Sequence, residues 1–180
     1  MENESLPVSG GRKFGNWLFR LFLFAAFAMW FGGLGFYMAW VVPIATDVLG
    51  SAFDQGMVTR QVTKHINVLA GVALLVMLVE AIRDKRKSSW RWRVKAGSVV
   101  LMLLLLGGLV WLHPRLDALI DLVDSEIDDY DSFYSMHRIY LWLTTVQWLA
   151  GWVWIATIVS NSEQAGPSKF ATGTHNQHTE

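Results

Sequence analysis

The sequence predicts an all-α integral membrane protein, a four-transmembrane-helix bundle with a short amphipathic outer helix between spans three and four. Three observations carry that reading. Hydrophobic residues make up 53% of the 180-residue chain and ten residues are Trp, more than an ordinary soluble domain needs. Four apolar stretches approach or exceed the roughly 20 residues that cross a bilayer. Between the second and third of these, residues 83–95 read RDKRKSSWRWRVK, seven Lys or Arg among thirteen. Connections this basic stay on the cytoplasmic side, and that sets the expected sidedness of the rest.

Residues 1–16 are polar and read as a cytoplasmic tail. From 17 to 42 the only charge is Arg20, whose long stem can reach the interface. A secretory leader is the competing reading, because Arg12 and Lys13 precede an apolar run containing Ala26-Phe27-Ala28. The run continues well past the roughly 7 to 15 residues of a leader's apolar core, and this favours a span. Ala25, Ala28, Gly32, Gly35 and Ala39 recur at helical spacing and form a small-residue face suited to close helix packing. Pro43 is expected to end this helix, leaving residues 46–60 as an outer loop.

The second span is expected over about 61–83, with Asn67 as a polar residue inside it and Glu80 one turn from Arg83, an interfacial ion pair. The third, about 94–113, has Trp90 and Trp92 before its start and Trp111 near its end, as aromatic belts require. After His113-Pro114, Leu116, Leu119, Ile120, Val123 and Ile127 share one helical face and Asp117, Asp121, Asp124 and Asp128 occupy others. That is the amphipathic outer helix, residues 114–131, and Pro114 suits its first turn. Residues 115–131 hold seven acidic residues and one Arg, which argues against a nucleic-acid partner and offers a surface to a protein partner. The fourth span is expected over about 138–160. Residues 161–180 have a disorder-like composition and form a cytoplasmic tail; His175 and His178 within it read as solvated sequence.

With no Cys in the chain, disulfides, thiolate metal sites and cysteine nucleophiles are excluded. Phosphate-binding glycine loops, HExxH and GxSxG are absent too, and Gly32-Gly33-Leu34-Gly35 lies inside an apolar span. Two groups of residues remain for chemistry. His65, His113 and His137 fall at the outer ends of spans two, three and four, with Met57 and Met136 nearby, and His with Met suits haem or copper. Interfacial hydrogen bonding is the simpler role for each of them. His65 and Asn67 stand about 160° apart around one helix, so both cannot face the bundle centre. On helix four, His137, Tyr140, Thr144, Gln147 and Gly151 follow the steps 3, 4, 3, 4 and form a polar stripe. Such a stripe faces protein or a water-filled cavity, because polar groups are costly in lipid. It serves either interhelical hydrogen bonding or a pocket opening outward at His137.

Trp30 and Gly33 in span one, Pro43, His113-Pro114, and Phe133-Tyr134-Ser135-Met136-His137 together resemble the transmembrane protein 205-like family, also found as a bacterial domain of unknown function. That likeness implies a compact four-helix membrane domain with no established reaction. Trp30-Phe31-Gly32-Gly33-Leu34 and Trp92-Arg93-Val94-Lys95 look like pieces of the bacterial four-helix membrane protoporphyrinogen oxidases, which bind haem, although the histidine of that family's first span has no counterpart between Arg20 and Val42. Copper-resistance D-type membrane proteins share the general layout. The expected function is therefore that of a multi-pass inner (plasma) membrane protein with both termini cytoplasmic, non-enzymatic, with a small-molecule or interaction pocket at the outer face. The alternative is a haem- or copper-binding redox or transport protein using His65, His113 and His137.

Overall fold

The structure is a computed structural model that describes residues 10–84, 90–121, 126–127 and 129–163. Helix α1 (Gly10–Phe36) passes through one π-helical turn, Tyr37–Val41, into α2 (Val42–Leu49). Helices α3 (Ala52–Asp84), α4 (Trp90–Asp117) and α5 (Tyr130–Glu163) follow. Among the described residues there are four helical rods long and apolar enough to cross a membrane, the first made of α1, the π turn and α2, so this is a multi-pass membrane protein. The shortest has 28 residues. At 1.5 Å per residue it is roughly 42 Å long against a hydrocarbon core of roughly 30 Å, so the helix ends stand in the headgroup region. Large apolar side chains such as Phe22, Trp40, Leu104 and Trp142 are exposed, as a lipid solvent allows.

Pro43 does not stop the first helix, contrary to the sequence expectation. In an unbroken α-helix its ring would press on the carbonyl four residues back and its missing N–H would leave that carbonyl unpaired. The π turn changes the register just ahead of it. The Val42 N–H donates to Tyr37 O, five residues back, and Pro43 falls in the first turn of α2, where no N–H is needed. The helix ends instead at Gly50, whose φ of 64° is a conformation that glycine adopts without a steric penalty. Ser51 Oγ accepts the Asp54 N–H at 3.1 Å and caps α3. The outer loop expected over 46–60 is thereby reduced to Gly50 and Ser51.

The outer amphipathic helix expected over 114–131 also needs correction. Helix α4 continues through Pro114 to Asp117, while β1 (Ile120–Asp121) pairs antiparallel with β2 (Glu126–Ile127). Residues 122–125 and 128 lie outside the described residues, as do 1–9, 85–89 and 164–180 of the two tails and the basic connection. Packing decides the outcome at Pro114. Leu109, Leu112 and Leu116 are buried on one stripe of α4 against Tyr140 of α5, so Leu116 extends the third span's own apolar face. Ile120 and Ile127, which shared a face in the helical reading, are cross-strand partners.

The bundle core takes Leu23, Phe27, Trp30 and Phe31 from α1, Ala70, Ala73, Leu74 and Met77 from α3, Val99 and Met102 from α4, and Ala150 and Trp154 from α5. Helix α1 therefore packs through its bulky side. Ala25, Ala28, Gly32 and Ala39 are exposed, and of the two glycines on this face only Gly35 has another helix within 4 Å of where a Cβ would stand, at Trp148. The expectation that this face packs against a neighbour does not hold within the described residues. Between α1 and α5 the space is filled by aromatic rings instead: Phe31 stacks on Trp148 at 5.2 Å and on Phe27 at 5.0 Å.

Candidate functional site

The end of the bundle opposite the basic connection gathers the polar residues of three helices. Here α3, α4 and α5 enclose a cavity of about 60 Å³ whose walls include Gly56, Thr59, Arg60, Thr63, His113, Asp117, His137 and Tyr140. Arg60, about two turns inside α3, extends its guanidinium to α4, where Nε lies 2.8 Å from Asp117 Oδ1. Four residues before Asp117 on the same helix face, His113 places Nε2 3.8 Å from the other carboxylate oxygen. Asp117 thus takes its main partner from a different helix. The guanidinium of Arg115, on another face of α4, stacks on Trp111 at 3.5 Å.

Helix α5 contributes two neighbouring turns. His137 stacks on Phe133, with ring centroids 5.9 Å apart. Tyr140 is buried, and its hydroxyl accepts a hydrogen bond from Asn67 Nδ2 of α3 at 2.9 Å. The polar stripe divides at this point. His137 and Tyr140 line the cavity, whereas Thr144 turns back to donate to the Tyr140 carbonyl at 2.9 Å. Gln147, 1% exposed, donates from Nε2 to the Met102 carbonyl at 3.1 Å and binds α5 to α4. Gly151 makes room for Phe31: a Cβ there would lie 2.7 Å from the ring. Of the four residues expected to line one pocket, two border the cavity, Thr144 bonds back within its own helix and Gln147 joins two helices.

The three histidines do not converge. His113 and His137 border the cavity, but His65 is exposed, with Nδ1 2.8 Å from the Gln61 carbonyl of its own helix. Asn67, two positions on, is the residue of that pair that turns inward. Among the described residues no three His, Cys, Asp or Glu side chains stand close enough to share a metal ion. A ligand set of His65, His113 and His137 for copper or haem therefore does not fit this arrangement. A cavity of this size holds a few waters and has no room for a porphyrin.

A second cluster, at the basic end, is not apparent from sequence spacing alone. Lys95 of α4 is 4% exposed, and its Nζ lies 2.5 Å from each oxygen of Glu80 and 3.2 Å from Asp84 Oδ2, both on α3. Hydrogen-bond geometry suits Oε1; Oε2 is held by proximity of charge. The ion pair expected between Glu80 and Arg83 is replaced by this one. Arg83 donates instead to Asn16 Oδ1 at 2.6 Å and lies over the Phe19 ring. Trp92 Nε1 donates to the Ala81 carbonyl at 2.8 Å and closes the same corner. Lys95 ends the basic run in the sequence; its position five residues inside α4 is the signal that separates it from a loop cation.

A family model described as a domain of unknown function (DUF4149) matches residues 25–121, more than half of the chain. The match takes in the second part of α1 from residue 25, the π turn, all of α2, α3 and α4, and β1. No curated protein and no solved structure matches the chain.

Proposed function

The chain belongs to the DUF4149 family, a domain of unknown function, and from that premise we propose that it is a non-enzymatic membrane protein that holds a small polar solute in the cavity at the acidic end. The observation that carries this reading is the convergence of Arg60, Asp117, His113, His137 and the buried Tyr140 on one partly open cavity between α3, α4 and α5. Polar groups at the end of a membrane bundle require protein or water partners, and these walls offer both donors and acceptors. The volume suits a solute of a few heavy atoms.

The test uses Gly56, which lines the cavity and where a Cβ would meet nothing within 4 Å. Gly56→Leu should fill the space without displacing backbone. Thermal unfolding of the purified full chain in detergent is followed with formate, bicarbonate, phosphate, urea or ammonium. At least one should raise Tm in a concentration-dependent way, and the rise should vanish in Gly56→Leu. No rise with any of the five, or a rise unchanged in Gly56→Leu, overturns the reading.

The orientation rests on the charge of residues 83–95: the basic connection and both termini are placed in the cytoplasm and the cavity on the outer face of the inner (plasma) membrane. A reporter fused after Ser160 should then be active only in the cytoplasm, and one inserted near Asp124 only outside. The acidic composition of segment 115–131 offers a surface to a basic protein partner. The transmembrane protein 205-like likeness agrees with a four-helix membrane domain without a known reaction. The haem or copper reading has no geometric support in the histidines. A Soret band or near-stoichiometric copper in protein purified without added metal, lost in His137→Ala, would replace the solute reading.

A further inference from the structure

At the basic end, α4 and α5 leave between them a groove of about 340 Å³ that opens sideways, toward the lipid. Ser98 and Ala150 are buried at its floor, and Leu101, Val146, Leu149 and Val153 form exposed apolar walls. The groove exists because Gly97 has no side chain: a Cβ there would meet nothing within 4 Å. Arg93, Gly97 and Leu101 lie four residues apart along one face of α4, so Arg93 stands about 6 Å nearer the basic end than Gly97 on the groove's own line.

The charges at this end distinguish Arg93 from its neighbours. Lys95 is occupied by Glu80 and Asp84, Arg83 by Asn16 and Phe19, and Arg91 donates to the Ser160 carbonyl at 3.4 Å. Arg93 is exposed and has no hydrogen bond or ion pair among the described residues. An apolar channel lying along the membrane normal, headed at the interface by an exposed guanidinium, matches an amphiphile with an anionic head and a hydrocarbon tail. We propose that this groove is a binding site for one anionic phospholipid, with an acyl chain seated over Gly97 and the phosphate held at Arg93.

The full-length protein is extracted in mild detergent and titrated with phosphatidylglycerol or phosphatidylcholine of identical chains, and bound lipid is counted by native mass spectrometry. One phosphatidylglycerol should be retained with about a fivefold preference over phosphatidylcholine, the magnitude expected for one interfacial cation. Arg93→Gln, an exposed substitution, should equalise the two lipids. Gly97→Leu should occupy the groove and lower retention of both while leaving helicity unchanged. Equal retention of the two lipids by the unaltered protein, or a preference that survives Arg93→Gln, overturns the proposal. So does a lipid-free dimer that Gly97→Leu dissociates, because the groove then belongs to a second copy.

Discussion

Lys95 and Glu80 join α4 to α3 by an ion pair in which the ammonium lies 2.5 Å from the carboxylate, and Lys95 is almost entirely enclosed. Charges withdrawn from water are destabilising unless paired, and removing one partner leaves the other uncompensated. Lys95→Met should therefore lower stability by roughly 3 to 5 kcal/mol, discounted toward the lower figure because Glu80 and Asp84 keep some contact with solvent. Adding Glu80→Gln to Lys95→Met should recover part of that loss. Chemical unfolding of the single and double variants in detergent measures it, and a double variant worse than Lys95→Met would mean that Glu80 has another role.

Gly151 of α5 faces the Phe31 ring of α1 with no room for a side chain between them. An added methyl would sit 2.7 and 2.8 Å from two ring carbons, and the ring is fixed by stacking on Phe27 and Trp148. Gly151→Ala should destabilise by about 1 to 3 kcal/mol through overpacking. Gly32→Ala should cost nothing, because its Cβ would meet no atom within 4 Å. Thermal unfolding of the two variants side by side separates these outcomes; equal effects would place the Phe31 ring elsewhere.

These two relationships show why some of the structure was readable before folding and some was not. The four spans were legible because lipid demands long apolar runs, and residues 83–95 separated the middle pair by charge. Pro43 and Pro114 misled because a proline is a local signal. At Pro43 a π turn shifted the hydrogen-bond register, and at Pro114 the buried stripe of Leu109, Leu112 and Leu116 continued past it. The facing of α1 misled as well: small residues permit close packing, but the aromatic side supplied more buried surface. His137 and Tyr140 could be placed together because both lie on one helix at helical spacing. Asp117 with Arg60, and Lys95 with Glu80, join different helices, and no spacing within one helix encodes that.

The Asn67–Tyr140 hydrogen bond links α3 and α5 beside the cavity. Tyr140→Phe removes the acceptor and leaves the Asn67 amide without it in a part-buried place, a loss of roughly 1 to 3 kcal/mol. Asn67→Leu combined with Tyr140→Phe should restore most of that loss, since an apolar pair leaves no unpaired group. Gln147→Leu should cost less, about 0.5 to 2 kcal/mol, because its partner is a backbone carbonyl within helix α4. A thermodynamic cycle over Asn67 and Tyr140 gives the coupling directly, and additive single effects would show that the two residues act independently.

Asp129 caps α5 and gives the acidic end a pH response. Its Oδ1 accepts the Ser132 N–H at 3.1 Å, and its carbonyl accepts the Phe133 N–H at 3.0 Å. The Ser132 side chain, and after it the Ser132 backbone N–H, hold the carboxyl below the usual aspartate value. A carboxyl lowered on folding binds protons more readily in the unfolded chain, so its contribution is complete at neutral pH, above the unfolded value. It is lost as pH falls through the lowered folded value. The protection of the Ser132 and Phe133 amides, measured relative to the intrinsic exchange rate at each pH, should therefore fall at acid pH in the unaltered protein. Asp129→Asn keeps an oxygen that can cap the helix but has no proton to gain, so its protection should stay level over that window. The same acid loss in both proteins would assign the response to another carboxyl.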